Sequence, residues 1–280
     1  MTDQMEYYSN FGLKRAAKGK LAYQSGIAIG TYFLQIAILF GIVMISVLAM
    51  AGTMWQPIFS LLYSMDPMGS DIMEVQQKMQ DMMLTPRYLI GRELFFALIG
   101  ALSVTLTTGY SNVCLKISRS EKAKVMDLFF VYRNNPDRVI LLYLLVFVIQ
   151  SLISLPSNVV SFYADTQPQN TALTMLSTAL FLVSLAFSYV FSLMVSQVYF
   201  LYLDDIEKPV LAVFKESVEL MRGHKLRLFS LQFSFIGWTL LSFLTLGVLQ
   251  IWLGPYMGLT FTEFYRNLKK EPLWIATQGY

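Results

Sequence analysis

The residues that could do chemistry are few, and the chain's one histidine stands among cations. His224 lies in the segment MRGHKLR together with Arg222, Lys225 and Arg227. A metal site or a general base needs a second imidazole, a thiolate or convergent carboxylates, and this segment supplies only cations. Neighbouring positive charge lowers the pKa of an imidazole. We therefore expect a neutral His224 at a turn beside lipid headgroups, where the three cations anchor the start of a helix.

Three further charged side chains adjoin long apolar runs. Arg92 and Glu93 open the second run, and Glu263 follows the last one. Charge at membrane depth is costly and often marks function, although long side chains at a helix end can reach the interface. We expect a structural role for Arg92 and Glu93. If Glu263 lies one or two turns inside the bilayer, it needs a partner such as Arg266 or an interfacial lysine.

Other potential ligands indicate no cofactor and no resident metal. Seven methionines between residues 52 and 88 carry soft thioethers that suit Cu(I), but methionine also fills apolar gaps, and no His or Cys accompanies them. Copper binding by this segment stays an open alternative. Cys114 is the single cysteine, which excludes an intrachain disulfide. No phosphate loop, dinucleotide fingerprint, zinc-protease motif or nucleophile elbow occurs, so we expect no catalytic residue.

The composition predicts that membrane helices position these residues. Of the 280 residues, 55% are hydrophobic and 14% are charged, whereas soluble domains carry about 25% charged residues. A bilayer core requires about 20 mostly apolar residues in a helix. Four runs meet this requirement, and the run from Leu228 to Tyr265 is long enough for two helices with a turn at Gly247. We predict six spans, at 26–51, 94–115, 139–163, 173–203, 228–246 and 248–267.

The distribution of cations predicts the orientation of these spans. All but three of the 21 Lys and Arg residues lie before span one, between spans two and three, between spans four and five, or after span six. The three exceptions are Lys78, Arg87 and Arg92. By the positive-inside rule, both termini are then cytoplasmic. The expected fold class is all-α, a polytopic transmembrane bundle of about six spans arranged as three hairpins.

The three cytoplasmic segments share a pattern of helical periodicity, a basic turn and then a membrane run. They read FGLKRAAKGK, KAKVMDLFFVYRNNPDR and IEKPVLAVFKESVELMRGHK. We interpret each as an interfacial amphipathic helix that precedes a transmembrane hairpin. Because their cations adjoin membrane entries, a bilayer with anionic headgroups is the expected partner, and nucleic acid is not. In the outer loop, the spacing of Ile72, Val75, Met79 and Met82 predicts another short amphipathic helix.

The C-terminal third resembles a known family. Residues 217–268 contain Met221, Gly223, Lys225, Gly237-Trp238, Leu244-Thr245-Leu246-Gly247, Pro255-Tyr256 and Phe264-Tyr265. This combination is similar to the bacterial integral membrane family known as domain of unknown function 975, found mainly in Firmicutes. The resemblance implies a multi-pass protein of a bacterial plasma membrane. It implies no reaction, because the family has no established catalytic residues that could be transferred.

These features favour a membrane protein that is not an enzyme. The expected role is a scaffold, regulator or accessory subunit of a membrane complex, which implies a membrane-protein partner or self-association. Polar but uncharged spans and amphipathic cytoplasmic helices support this interpretation. A transporter or channel for a small solute is the alternative, because a sixth helix kinked at Pro255 could help to enclose a path. A third hypothesis is an intramembrane enzyme that uses His224, Glu93 or Glu263.

Overall fold

The computed structural model describes residues 8–63, 85–167 and 169–271. Helices form all the regular structure of these residues. The α-helices are α1 Asn10–Tyr23, α2 Ser25–Tyr63, α3 Pro86–Ser118, α4 Phe130–Arg133, α5 Pro136–Thr166, α6 Thr171–Met194, α7 Val198–Asp204, α8 Val210–Leu220, α9 Lys225–Phe233, α10 Ile236–Leu244 and α11 Gln250–Leu268. A short 3-10 helix, Val125–Phe129, precedes α4. The predicted all-α class is confirmed.

Five segments of the described chain are long and apolar enough to cross a membrane. They are Ser25–Leu48, Ile90–Ser118, Pro136–Thr166, Thr171–Asp204 and Lys225–Leu244. The predicted segment 248–267 corresponds to α11, a helix of 19 residues that is not among these five. Glu263 and Arg266 lie in the last turns of α11, and both are buried against neighbouring helices. α11 therefore occupies the interior of the bundle.

The last apolar run is divided at the predicted turn. Leu246 and Gly247, between α10 and α11, have positive φ values of 51° and 84°. The backbone N–H of Gly247 donates to the carbonyl oxygen of Ser242 at 2.8 Å. A glycine in the left-handed conformation commonly ends a helix in this way. Pro255 lies within α11, as expected.

The packed core lies at one end of the bundle, which we call the basic end. It is the end at which α1, residues 118–136, residues 204–225 and the C-terminal end of α11 meet. Away from it, the membrane helices carry large apolar side chains on open faces. Phe40 of α2 is 61% exposed, and Phe187 of α6 is 65% exposed. The most completely buried side chains therefore lie mainly at the basic end.

Two of the three predicted amphipathic segments are regular helices with one buried face. Leu13 and Ala17 of α1 are fully buried, and so are Val213 and Ser217 of α8. The hydroxyl of Ser9 accepts a hydrogen bond from the backbone N–H of Gly12 at 3.2 Å and caps α1. Both helices lie at the basic end, beside the starts or ends of membrane helices.

The middle amphipathic segment differs from the prediction, because it folds as the 3-10 helix followed by the single turn of α4. Asp127 provides the physical reason. Its carboxylate accepts hydrogen bonds from the backbone N–H of Lys124 at 2.7 Å and from Lys116 Nζ at 2.8 Å. Such side-chain capping favours a tight local turn over a continuous helix.

The 3-10 helix approaches α3 closely at Gly109. A Cβ atom at this position would lie 1.8 Å from the carbonyl oxygen of Leu128. Only a residue without a side chain permits two backbones to come so near. The contact holds the loop after α3 against the membrane helix that precedes it.

Candidate functional site

Charged side chains meet where the ends of α1, α3, α7 and α11 converge at the basic end. We call this group the charged cluster, and its members are Lys20, Ser118, Arg119, Asp204, Glu263, Arg266 and Glu271. α11 places Glu263 and Arg266 one turn apart on the same face. The end of α3 supplies Ser118 and Arg119. The cluster therefore joins four segments that are distant in the sequence.

Glu263 lies in the interior of the cluster, and its side chain is fully buried. The Ser118 hydroxyl donates a hydrogen bond to Glu263 Oε1 at 2.6 Å. Arg266 Nη1 lies 3.4 Å from Glu263 Oε2 and donates to the carbonyl oxygen of Ser118 at 2.8 Å. A buried carboxylate needs such partners, because desolvation of an isolated charge is very costly. The structure thus confirms Arg266 as the expected partner of Glu263.

Arg119 and Glu271 extend the cluster towards its edge. Arg266 Nε donates to Glu271 Oε2 at 2.9 Å, and Arg119 Nε donates to the same oxygen at 3.2 Å. Arg119 Nη2 also lies 2.9 Å from Asp204 Oδ1. The hydroxyl of Tyr265 donates to the other carboxylate oxygen of Asp204. Alternating charges therefore tie the ends of α3, α7 and α11 to one another.

Lys20 brings α1 to the same cluster. It lies on the buried face of α1, is 6% exposed, and donates a hydrogen bond to the hydroxyl of Ser120. Burial lowers the pKa of Lys20, and the carboxylate of Glu263 opposes that shift. The amino group thus adds positive potential on the side of Glu263 that faces α1.

Glu271 gives the cluster a defined pH dependence. Burial alone would raise its pKa, but hydrogen bonds from Arg119 and Arg266 outweigh burial and hold the pKa below its ordinary value. A carboxyl with a depressed folded-state pKa stabilises the fold above the unfolded-state pKa, and this stabilisation is lost as pH falls. We expect the melting temperature in detergent to fall from about pH 5 downwards.

A Glu271→Gln variant should melt lower than the natural protein at neutral pH and should show a shallower acid dependence. Glu219→Gln is the matched control, because Glu219 is exposed on α8. It should leave both the melting temperature and its pH dependence unchanged. Parallel acid transitions in the natural protein and in Glu271→Gln would exclude this assignment.

Arg227, one of the predicted lipid-contacting cations, points into the protein. Its Nη2 donates to the carbonyl oxygen of Tyr8 at 2.5 Å and also to Asn267 Oδ1. The guanidinium carbon lies 5.2 Å from the centre of the Phe264 ring, within reach of a cation–π interaction. Arg227 therefore connects the start of α9 to the end of α11 and to the segment before α1.

The remaining residues of the basic segment lie closer to the surface. Arg222 is exposed, Lys225 is half-buried, and His224 is half-buried at the N-terminus of α9. Burial lowers the pKa of His224, and the charge of Arg227 lowers it further. The predicted direction is therefore correct, although burial contributes more than the neighbouring cation.

Arg92 and Glu93 form a separate pair near the other end of α3. Arg92 Nη2 lies 3.0 Å from Glu93 Oε1, and both side chains are substantially exposed. An exposed ion pair contributes little to stability. The length of α3 separates this pair from Ser118, so the structure does not bring Arg92 or Glu93 together with Glu263.

Most of the methionine-rich segment and the helix predicted over residues 72–82 lie outside the described residues. Met54 is the exception, and it lies within α2. Among the described side chains, no group of three or more His, Cys, Asp or Glu residues is arranged to hold a metal ion. Copper binding by the methionines therefore stays an untested alternative.

The sequence reasoning missed Lys20, Arg119, Asp204 and Glu271. One signal was available, because Asp204 is the first charged residue after the fourth apolar run and Arg119 closely follows the second. Residues at these positions lie at the same end of a bundle with alternating spans. Their pairing with Glu271, however, depends on how the helix ends converge.

Uncharged polar side chains form a second group, the polar seam, between the membrane helices. Gln250 Nε2 donates to the hydroxyl of Tyr32 at 3.2 Å, and the hydroxyl of Ser242 donates to Gln250 Oε1 at 3.4 Å. Gln35 Nε2 donates to Thr107 Oγ1 at 3.4 Å. Gln35 Oε1 is buried and has no hydrogen-bond partner within the described part of the chain. The seam links α2 to α3, α10 and α11.

Five apolar helices and a charged cluster at their ends define an α-helical membrane protein. The chain belongs to the family described as Protein of unknown function (DUF975), whose profile matches residues 5–272. This match confirms the resemblance of residues 217–268 and extends it over nearly the whole chain. A search of curated proteins and a search of solved structures found no match.

Proposed function

We propose that this protein is a non-enzymatic scaffold, regulator or accessory subunit of a membrane complex. The membrane is a bacterial plasma membrane, and both termini lie in the cytoplasm. The bias of Lys and Arg towards the basic end supports this orientation. The charged cluster supports a structural role, because Glu263 is fully buried and engaged by Ser118 and Arg266. A general acid or base must be within reach of its substrate, and the full burial of Glu263 does not favour such a role.

The observation that carries the proposal is the contrast between the packed basic end and the open faces of the membrane helices. In α6, Leu182 is 60% exposed and Phe187 is 65% exposed, whereas Leu193, near the basic end, is 5% exposed. Membrane helices associate through packing and interhelical hydrogen bonds rather than through exclusion of water. The open apolar helix faces beyond the packed basic end provide a surface on which a helix of another membrane protein can dock laterally.

Site-specific photo-crosslinking tests this proposal. Benzoylphenylalanine at Leu182 or Phe187 should give one discrete protein adduct in cells, because both side chains are exposed on α6. The same protein should co-purify in stoichiometric amount in mild detergent. Benzoylphenylalanine at Leu193 is the control on the same helix and should give no adduct. Recovery of the protein alone, with lipid adducts at both exposed positions, would contradict the proposal.

A transporter or channel for a small polar solute is the second candidate. The polar seam favours it, because Gln250, Tyr32 and Ser242 bring hydrogen-bonding groups between α2, α10 and α11, beside the break at Gly247. Interrupted helices and polar groups at membrane depth are typical of transport sites. The buried acceptor Gln35 Oε1 could receive a hydrogen bond from water or a solute. Lipid adducts alone in the crosslinking experiment would leave this as the better-supported function.

A further inference from the structure

The outward face of α1 is a stripe of aromatic and basic side chains. Phe11, Arg15, Lys18 and Ala22 recur at a spacing that places them on one side of the helix, and all four are exposed. Tyr23 follows in the last turn, about a third of a turn around the helix from Phe11, and it is also exposed. Phe11 is 75% exposed and Tyr23 is 78% exposed. We call Phe11, Arg15, Lys18 and Tyr23 the α1 stripe.

The opposite face of α1 is fixed to the protein, so the stripe cannot rotate inward. Leu13 is fully buried in a cluster with Phe264 and Leu268 of α11. Lys14 Nζ donates to the carbonyl oxygen of Ser234 at 3.2 Å. These contacts involve both α9–α10 and α11. They present the stripe to the surroundings in a single orientation.

α1 lies at the membrane boundary. Only Gln24 separates it from Ser25, the first residue of a candidate membrane span. The side chain of Gln24 donates to the carbonyl oxygen of Glu121 at 2.8 Å and accepts from the backbone N–H of Ala123 at 3.2 Å. This clamp fixes the end of α1 against the segment that follows α3. The C-terminal end of the stripe is thereby held beside the start of that span.

The chemistry of the stripe matches a lipid headgroup layer. Aromatic rings are favoured at the boundary between headgroups and acyl chains, and cations between them attract anionic phosphates. The outward face of α8 is different, since Lys215 there is followed one turn later by Glu219. Mixed charge without a flanking ring is typical of a face towards water. The α1 stripe carries charge of one sign only.

We propose that the α1 stripe binds the headgroups of anionic phospholipids on the side of the membrane at which α1 lies. Arg15 and Lys18 contact the phosphate groups, while Phe11 and Tyr23 insert their rings at the top of the acyl-chain region. Binding holds α1, and with it the buried Lys20, against the end of the bundle. This inference does not depend on the proposed scaffold function.

Native mass spectrometry of the full-length protein in detergent tests the inference, with phosphatidylglycerol or phosphatidylcholine added as the probe. Phosphatidylglycerol adducts should form at lower lipid concentration than phosphatidylcholine adducts. Arg15→Gln/Lys18→Gln should weaken phosphatidylglycerol binding about 25-fold, because each cation near an anionic surface contributes about fivefold. Phosphatidylcholine binding should stay unchanged.

Arg133→Gln/Lys215→Gln is the matched control, because it removes the same charge from two exposed positions outside the stripe. This variant should keep its phosphatidylglycerol affinity. Phe11→Ser leaves the charge unchanged and should still weaken binding several-fold. A common melting temperature of all variants verifies that each one folds.

Three outcomes would overturn the inference. The first is an equal loss of phosphatidylglycerol binding in both double variants, which would show that binding depends on net charge and not on the stripe. The second is equal affinity for the two lipids. The third is displacement of phosphatidylglycerol by a short RNA with the same dependence on Arg15 and Lys18, which would assign the stripe to nucleic acid.

Discussion

Replacement of Arg266 by methionine is expected to destabilise the fold by about 3–5 kcal/mol. The substitution removes the guanidinium that lies 3.4 Å from Glu263 Oε2 and bonds to Ser118. Glu263, whose side chain is fully buried, would retain the hydroxyl of Ser118 as a partner but lose the guanidinium that favours its charged form. Removing one partner of a buried pair costs more than the pair contributes, because the other charge stays desolvated. Equilibrium unfolding in mixed micelles measures the change in the free energy of unfolding.

The double variant Glu263→Gln/Arg266→Met should recover part of that loss, because no unpaired charge is then left at Glu263, while Glu271 keeps its bonds from Arg119. Arg133→Met is the control for removal of an exposed arginine, and it should change stability by less than about 0.5 kcal/mol. If the double variant is as unstable as Arg266→Met, the loss arises from packing or from the missing bond between Arg266 and Glu271 rather than from the unpaired carboxylate of Glu263. That result would show that the charge of Glu263 does not cause the loss of stability in Arg266→Met.

Gly109→Ala is expected to cost about 3 kcal/mol, at the upper end of the usual range for overpacking. The new Cβ atom would lie 1.8 Å from the carbonyl oxygen of Leu128, and this oxygen belongs to the backbone and cannot rotate away. α3 and the 3-10 helix would have to separate. That movement would also disturb the ion pair between Lys116 and Asp127, whose atoms lie 2.8 Å apart. A lower melting temperature and loss of a monodisperse elution peak would report the change.

Gly30→Ala is the matched control within a membrane helix. Among the described residues, a Cβ atom at this position meets no atom within 4 Å outside the adjoining turns of its own helix. Alanine is the better helix former by about 0.5–1 kcal/mol, so this variant should be at least as stable as the natural protein. Equal stability of Gly109→Ala and Gly30→Ala would contradict the close approach of α3 and the 3-10 helix.

Local patterns predicted much of this structure. Apolar runs of sufficient length became helices because the hydrocarbon core requires backbone groups to be satisfied within each segment. Gly247 ended a helix because it can adopt a positive φ. The pairing of Glu263 with Arg266 was also predictable, since residues three apart in the same helix are neighbours.

Contacts between distant segments were not predictable from one sequence. Arg119 and Glu271, which share a hydrogen bond, are 152 residues apart. Their approach depends on how α3 and α11 cross, and hydrophobic periodicity does not encode that crossing. The 3-10 helix was missed for a related reason, because Lys116 of α3 helps to fix the position of Asp127. Nothing in the local pattern distinguishes that cation from its exposed neighbours.

The positions of the charged-cluster residues along the chain determine the order in which they are synthesised. Arg119 is translated long before Glu271, and Ser118 long before Glu263 and Arg266. The nascent chain can therefore insert its earlier hydrophobic helices before the ion pairs of the charged cluster form at their ends. Delivery of α11 completes the assembly in one late step. A chain that ends before that helix lacks Glu263, Arg266 and Glu271, so Ser118 and Arg119 are left without these partners.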